Sequence, residues 1–352
     1  MSPVAGSSKF VLTLITLLVG VVGAAIGWAV SAPVFMLLGP AVAVTIAALA
    51  GQKTVVDDRL RDVCFVVLGI AVGSGFDADA LAAMIRWPLA FVAMAALLWV
   101  ILRVCAAALV RWFAFEPKAA ILAAAPGHLS FVIAVATELG TDAARISITQ
   151  SVRLLSLTIV VPFVALGLGV EVSANIAPQG VPMDLSQVAA LAIGGALLGL
   201  VFKRLSIPAP LLMGAMVLSA LGHLTSITPG VLPEWLVLPA YLVLGTLIGT
   251  RFAGVRLADL GQGLAAGLFV TGIAVVCAGL GAVPVAWLLG MPAAHVLIAF
   301  APGGLETMIA MGAVLGVVPG FVAACHIARL MVLTVLLPAM LAQAPDPRVR
   351  TH

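Results

Sequence analysis

Two arginines stand where arginine is least expected. Arg153 and Arg329 each lie within apolar sequence, 176 residues apart in a chain of 352. A charge at membrane depth is costly, and such residues are held there by a partner or a function. A guanidinium offers a planar fork of donors that fits a carboxylate or phosphate, so the pair is a candidate anion clamp. The structural alternative is that each arginine binds freed backbone carbonyls or a nearby carboxylate. Three residues before the arginines stand Gln150 and His326. Residues at i and i+3 share a helix face, so both are expected to point with the arginines. His326 is a candidate proton carrier, or else a satisfied interior histidine. Glu306 is a candidate site for a coupling proton or Na⁺; its alternatives are a contact to a cationic substrate group, a salt bridge to Arg329, and a helix cap. Gly127, His128, Ser130, Gly303, Gly304 and Thr307 complete the candidate substrate-binding set.

These residues belong to one stretch that occurs twice. Ala125 to Pro162 overlays Ala301 to Pro338 without a gap, with 13 of 38 positions identical. Each copy opens on a helix-breaking Ala-Pro-Gly, holds its arginine further on, and closes on a proline. The shift of 176 is half the chain, so the whole sequence reads as a duplication, with repeats 1–176 and 177–352. Val67-Leu68-Gly69 and Gly73-Ser74-Gly75-Phe76 fall on Val243-Leu244-Gly245 and Gly249-Thr250-Arg251-Phe252 at the same shift, and Pro33 falls on Pro208. Most of the glycines at helical spacing are expected to be packing surfaces.

The elements that must position these groups are membrane helices. The chain is 63% hydrophobic and only 9% charged, against about 25% charged in a soluble domain. The apolar runs, roughly 15–28 residues long, suit helices rather than the alternating strands of an outer-membrane barrel. The first run reads as a retained span, not a signal peptide. Cys64, Cys105, Cys277 and Cys325 are isolated, form no CxxC pair, and read as small buried hydrophobes. The five histidines share no metal-ligand spacing, so neither a metal site nor a cofactor is expected.

Each half has six apolar pieces. If the broken piece dips in and returns, each half crosses five times and the halves are inverted. With both termini inside, fourteen Lys and Arg then lie in or near the cytoplasm against Arg86 outside; a parallel arrangement gives nine against six. The positive-inside rule favours the inverted case. The expected fold is an all-α polytopic membrane protein of two inverted five-helix repeats, each with a re-entrant or broken segment: ten crossings and two hairpins.

The paired stretches APGHLSFVIAVATELGTDAARISITQSVRLL and APGGLETMIAMGAVLGVVPGFVAACHIARLM, with the glycine pairs LGIAVGSGF and LGTLIGTRF, resemble the duplicated unit of the AbrB-type membrane proteins. The resemblance covers nearly the whole chain. It implies a glutamine-like residue where His326 stands and a second glycine where His128 stands. Members carry labels such as transcriptional regulator and ammonia monooxygenase. A DNA reader needs a basic, water-exposed surface and a copper oxygenase needs clustered ligands; the sequence offers neither. The layout is also similar, at fold level alone, to the inverted repeats of glutamate symporters and bile-acid-type carriers.

Inverted repeats with breaks at matching places point to a secondary transporter. The sequence thus predicts a non-enzymatic carrier of a small, anionic organic solute in a bacterial inner membrane. The coupling ion, H⁺ or Na⁺, stays open, as does a homodimer, and no nucleic-acid partner is expected. The alternatives are a channel and a non-transporting membrane regulator or enzyme.

Overall fold

The computed structural model describes residues 6–76, 87–127, 129–170, 180–255 and 257–344. Among them lie fourteen helices. The first half holds α1 (Gly6–Ala29), α2 (Phe35–Leu49), α3 (Asp58–Gly73), α4 (Trp87–Phe113), α5 (Pro117–Ala124), α6 (Leu129–Glu138) and α7 (Ala143–Gly167). The second holds α8 (Leu185–Arg204), α9 (Pro210–Leu224), α10 (Glu234–Thr250), α11 (Leu257–Leu289), α12 (Ala293–Phe300), α13 (Leu305–Val314) and α14 (Pro319–Gln343). Six of these are long and apolar enough to cross a membrane, and the chain is a multi-pass helical membrane protein.

Local chemistry sets many helix ends. Asp57 and Asp142 cap α3 and α7 by accepting bonds from the N–H groups of Arg59 and Arg145. Pro117, Pro210 and Pro319 open α5, α9 and α14, where the missing N–H is harmless. Pro126 and Pro302 stand just past the ends of α5 and α12, because a proline disfavours helical backbone in the residue before it. Both segments expected to be broken are therefore broken, at 125–127 and 301–304.

The helices fall into two groups. In one, α1, α2, α3, α8, α9 and α10 pack on one another; in the other, α4 to α7 pack with α11 to α14. The groups meet mainly where α3 touches α13 and α14, and where α7 touches α2 and α10. Contacts recur in matched pairs: α1 lies on α2 as α8 lies on α9, α3 on α9 as α10 on α2, and α5 on α7 as α12 on α14.

Backbone geometry repeats as well. Left-handed residues occur at Ser31 and Ser206, Val34 and Ala209, Ala114 and Gly290, and Gly140 and Gly316. A β-branched valine is strained there, so Val34 is held by its surroundings rather than by preference.

The spaced glycines are packing surfaces. A Cβ on Gly39 of α2 would come 2.9 Å from the Cα of Ala24 in α1; one on Gly214 of α9 would come 2.6 Å from the Cα of Gly199 in α8. Gly69 of α3 meets Ala215 of α9, and Gly249 of α10 meets Val44 of α2. Small residues let helix backbones approach closely in lipid.

The outer surface is apolar. Leu18, Ile26, Ile193, Leu197, Leu280 and Val335 are all exposed, as a lipid-facing surface requires. Polar contacts gather at helix ends. Lys9 bonds Asp58 at 2.8 Å, joining the starts of α1 and α3. Arg103 donates to Gln343 at 3.1 Å, joining α4 to the end of α14. Arg145 at the start of α7 donates to the Phe113 carbonyl at the end of α4 and lies 3.9 Å over the Phe115 ring.

Candidate functional site

The site begins with the carbonyls that the two breaks set free. The last turn of any helix leaves acceptors without an intrahelical donor. At the end of α5 the Arg153 guanidinium fills that role: Nη1 donates to Ala124 O at 3.0 Å and Nη2 to Ala125 O at 2.9 Å. At the end of α12, Arg329 Nη1 donates to Ala301 O at 2.7 Å and Nη2 to Gly303 O at 3.0 Å. Gln150 adds a bond from Nε2 to Leu122 O at 2.8 Å. The arginines are thus structural partners of the broken backbone. Each is almost fully buried, and each keeps its Nε without a hydrogen-bond partner.

The breaks lie beside each other. A Cβ on Gly127 would come 3.0 Å from Leu330 of α14, and one on Gly304 would come 3.1 Å from Leu154 of α7. Between them is a cavity of about 270 Å³. Gly127, Leu129, Gln150, Arg153 and Leu154 line it from the first half; Gly303, Gly304, Leu305, Glu306, Arg329 and Leu330 line it from the second. The first turns of α6 and α13 thus border the same space, where unpaired N–H groups and the helix dipole favour negative charge. Pro208, Ala209 and Arg251 complete the wall from the α8–α9 turn and the end of α10.

A larger cavity of about 590 Å³ adjoins this one and shares Ala209, Arg251 and Glu306 with it. Arg61, Asp62 and Lys203 border it at the ends of α3 and α8, and Thr307 lines it. Glu306 faces both cavities and forms no ion pair or hydrogen bond among the described residues; Arg329 spends its Nη donors on carbonyls instead. Arg251 is exposed and also makes no such contact.

Of the residues singled out from the sequence, Gly127, Gln150, Arg153, Gly303, Gly304, Glu306 and Arg329 come together in the smaller cavity, and Thr307 in the larger. His326 does not join them. It is fully buried and lines neither cavity; Nδ1 bonds the Val322 carbonyl at 2.9 Å, one turn back, while Nε2 has no partner. The ring lies beside the Ala301 carbonyl, which Arg329 also binds, so it faces the same break without reaching either cavity. Ser130 opens α6 within its first turn, but its side chain, like all of His128, lies outside the described residues. Arg251 and the Pro208-Ala209 turn were missed. Arg251 had a signal: it breaks the repeat, standing where the first copy has Gly75.

The class is therefore a multi-pass helical membrane protein with a cation-lined cavity at two helix breaks. The chain belongs to the family described as "Transition state regulatory protein AbrB", whose match runs over residues 36–344. The uncharacterized protein YhjN of Bacillus subtilis (strain 168) is similar to it, 28% identical over 233 residues. That match covers 61% of this chain and 60% of YhjN.

Proposed function

We propose that this protein is a secondary transporter of a small organic anion, with its binding site at the two helix breaks. The observation that carries the reading is the convergence of both breaks and both buried arginines on one cavity. The lining holds Arg153, Arg251 and Arg329 against Glu306 alone, a formal net charge of 3 − 1 = +2. An anion entering there would meet helix N-termini, the exposed Arg251 and the positive field of the two buried guanidinium groups behind the wall, where charge counts for more than in water.

On this reading the two halves are inverted and each broken segment is a hairpin. The bond from Arg145 to Phe113 supports it, because the chain between them leaves and returns to one end of the bundle. Trp28, Trp235 and Trp287 are exposed at helix ends that this topology puts on one face, as an interfacial aromatic belt would be. Arg61, Lys203 and Arg251 fall on the opposite face, which the positive-inside rule makes cytoplasmic in an inner membrane. The larger cavity is then the cytoplasmic entrance. The α4–α7 and α11–α14 group would carry the site against the other six helices, to which it is more sparsely joined.

Two measurements test this. A screen of organic acids by thermal shift identifies a ligand, since binding to the folded state raises its melting point. The protein in proteoliposomes should then show counterflow of that acid. Saturable counterflow is expected of a carrier; flux without saturation or counterflow would indicate a channel, and no flux would refute transport. For topology, single cysteines at Lys53, Ala253 and Val181 are placed in a chain whose four native cysteines are serine. An impermeant thiol reagent should label the first two only from the cytoplasm and the third only from outside. External labelling at position 253 would overturn the inverted arrangement.

A further inference from the structure

Gly127 borders a second cavity as well. This one measures about 230 Å³ and is almost wholly apolar, walled by Phe131 and Val132 of α6 and by Leu333, Thr334 and Leu337 of α14. Phe131 and Thr334 are exposed on the outside of the bundle, so the cavity opens toward the bilayer at that rim, and it shares Gly127 with the lining of the polar cavity. Gly127 has φ +96° and no side chain of its own, so the flexible end of Leu330 is the side chain that stands at the junction.

The two halves differ here, and the sequence explains why. The residue equivalent to Val132 is Met308, fully buried, with its thioether chain folded against Gly303; a Cβ on that glycine would come 2.7 Å from Met308 Cγ and 2.8 Å from its sulfur. Leu157, Thr158 and Val161, the counterparts of Leu333, Thr334 and Leu337, are buried as well. Methionine fills irregular gaps; valine is two chain atoms shorter. One break is therefore packed and the other is left with an apolar recess beside a cationic one.

We propose that the transported anion is amphipathic: a carboxylate with an apolar chain, its head in the arginine-lined cavity and its tail passing Gly127 into the recess between α6 and α14. This rests on the anion-site reading given above. It goes further in assigning the recess to the solute's own tail, rather than to an acyl chain of the surrounding lipid.

The test measures binding of straight-chain monocarboxylates from formate to decanoate to the purified protein in nanodiscs, with empty nanodiscs as the reference. Burying each methylene should tighten binding about fourfold until the recess is full. Val132→Met should bind acetate as the parent does but lose the rise with chain length, weakening octanoate by tenfold or more. Leu337→Ala enlarges the recess and should shift the best chain length upward, which covers the case of a poorly folded methionine variant. If short acids bind with no dependence on length, or if Val132→Met leaves the rise intact, the tail assignment is wrong while the anion site stands. If no acid of any length binds, the anion site itself is wrong, and this inference falls with it.

Discussion

Arg329→Ala should be among the most damaging single substitutions in this protein. It removes the donors to Ala301 O and Gly303 O, two carbonyls in a buried segment with no intrahelical partner. The Gly303 N–H still donates to Ala301 O at 2.8 Å, so Gly303 O is the acceptor left unsatisfied, at a cost of about 1–3 kcal/mol. The unfolding transition in detergent should fall accordingly, and uptake should be lost. Arg153→Ala should act in the same way on α5, through Ala124 and Ala125. Arg329→Lys separates the two roles of the residue. An ammonium can still donate to a carbonyl, but it lacks the planar fork that holds two carbonyls at once while its charge faces the cavity. Its melting point should recover toward the parent while anion affinity does not. An alanine variant that melts like the parent would show that the carbonyls have other partners. A lysine variant with full affinity would show that the guanidinium takes no part in binding.

Glu306→Gln is the second large effect, and it falls on coupling rather than on folding. Glu306 sits in the first turn of α13, where the helix dipole favours its negative charge, and it faces both cavities without a partner. Glutamine keeps the shape and removes the charge. In proteoliposomes the variant should still exchange the solute, while accumulation driven by an imposed proton or Na⁺ gradient should drop to passive equilibration. Full gradient-driven accumulation in Glu306→Gln would remove this residue from the coupling role. His326, buried away from both cavities, is then poorly placed to take it over.

Much of the scaffold could be read from residues in order. Breaks at Pro126 and Pro302 follow from a rule that acts on neighbouring residues alone, and hydropathy places the long helices with little regard to what packs against them. Repetition supplied the rest: Pro33 falls on Pro208, and the residues that follow them, Val34 and Ala209, share the same left-handed backbone. His326 shows where this approach ends. It faces the same break as Arg329, but whether its shorter side chain reaches the cavity depends on how the bundle packs, which spacing does not encode.

The sequence alone determined that the chain is membrane-embedded and helical, that its segments break at Ala-Pro-Gly, and that an arginine follows each break, because these depend on composition and short-range sterics. Only the tertiary structure decided that Arg153 and Arg329 bind the freed carbonyls, that Arg251 and Ala209 join the wall of the cavity, and that an apolar recess lies beside Val132 but not beside Met308. Those outcomes depend on which faces of distant helices meet. That is set by the packing of the whole bundle at once.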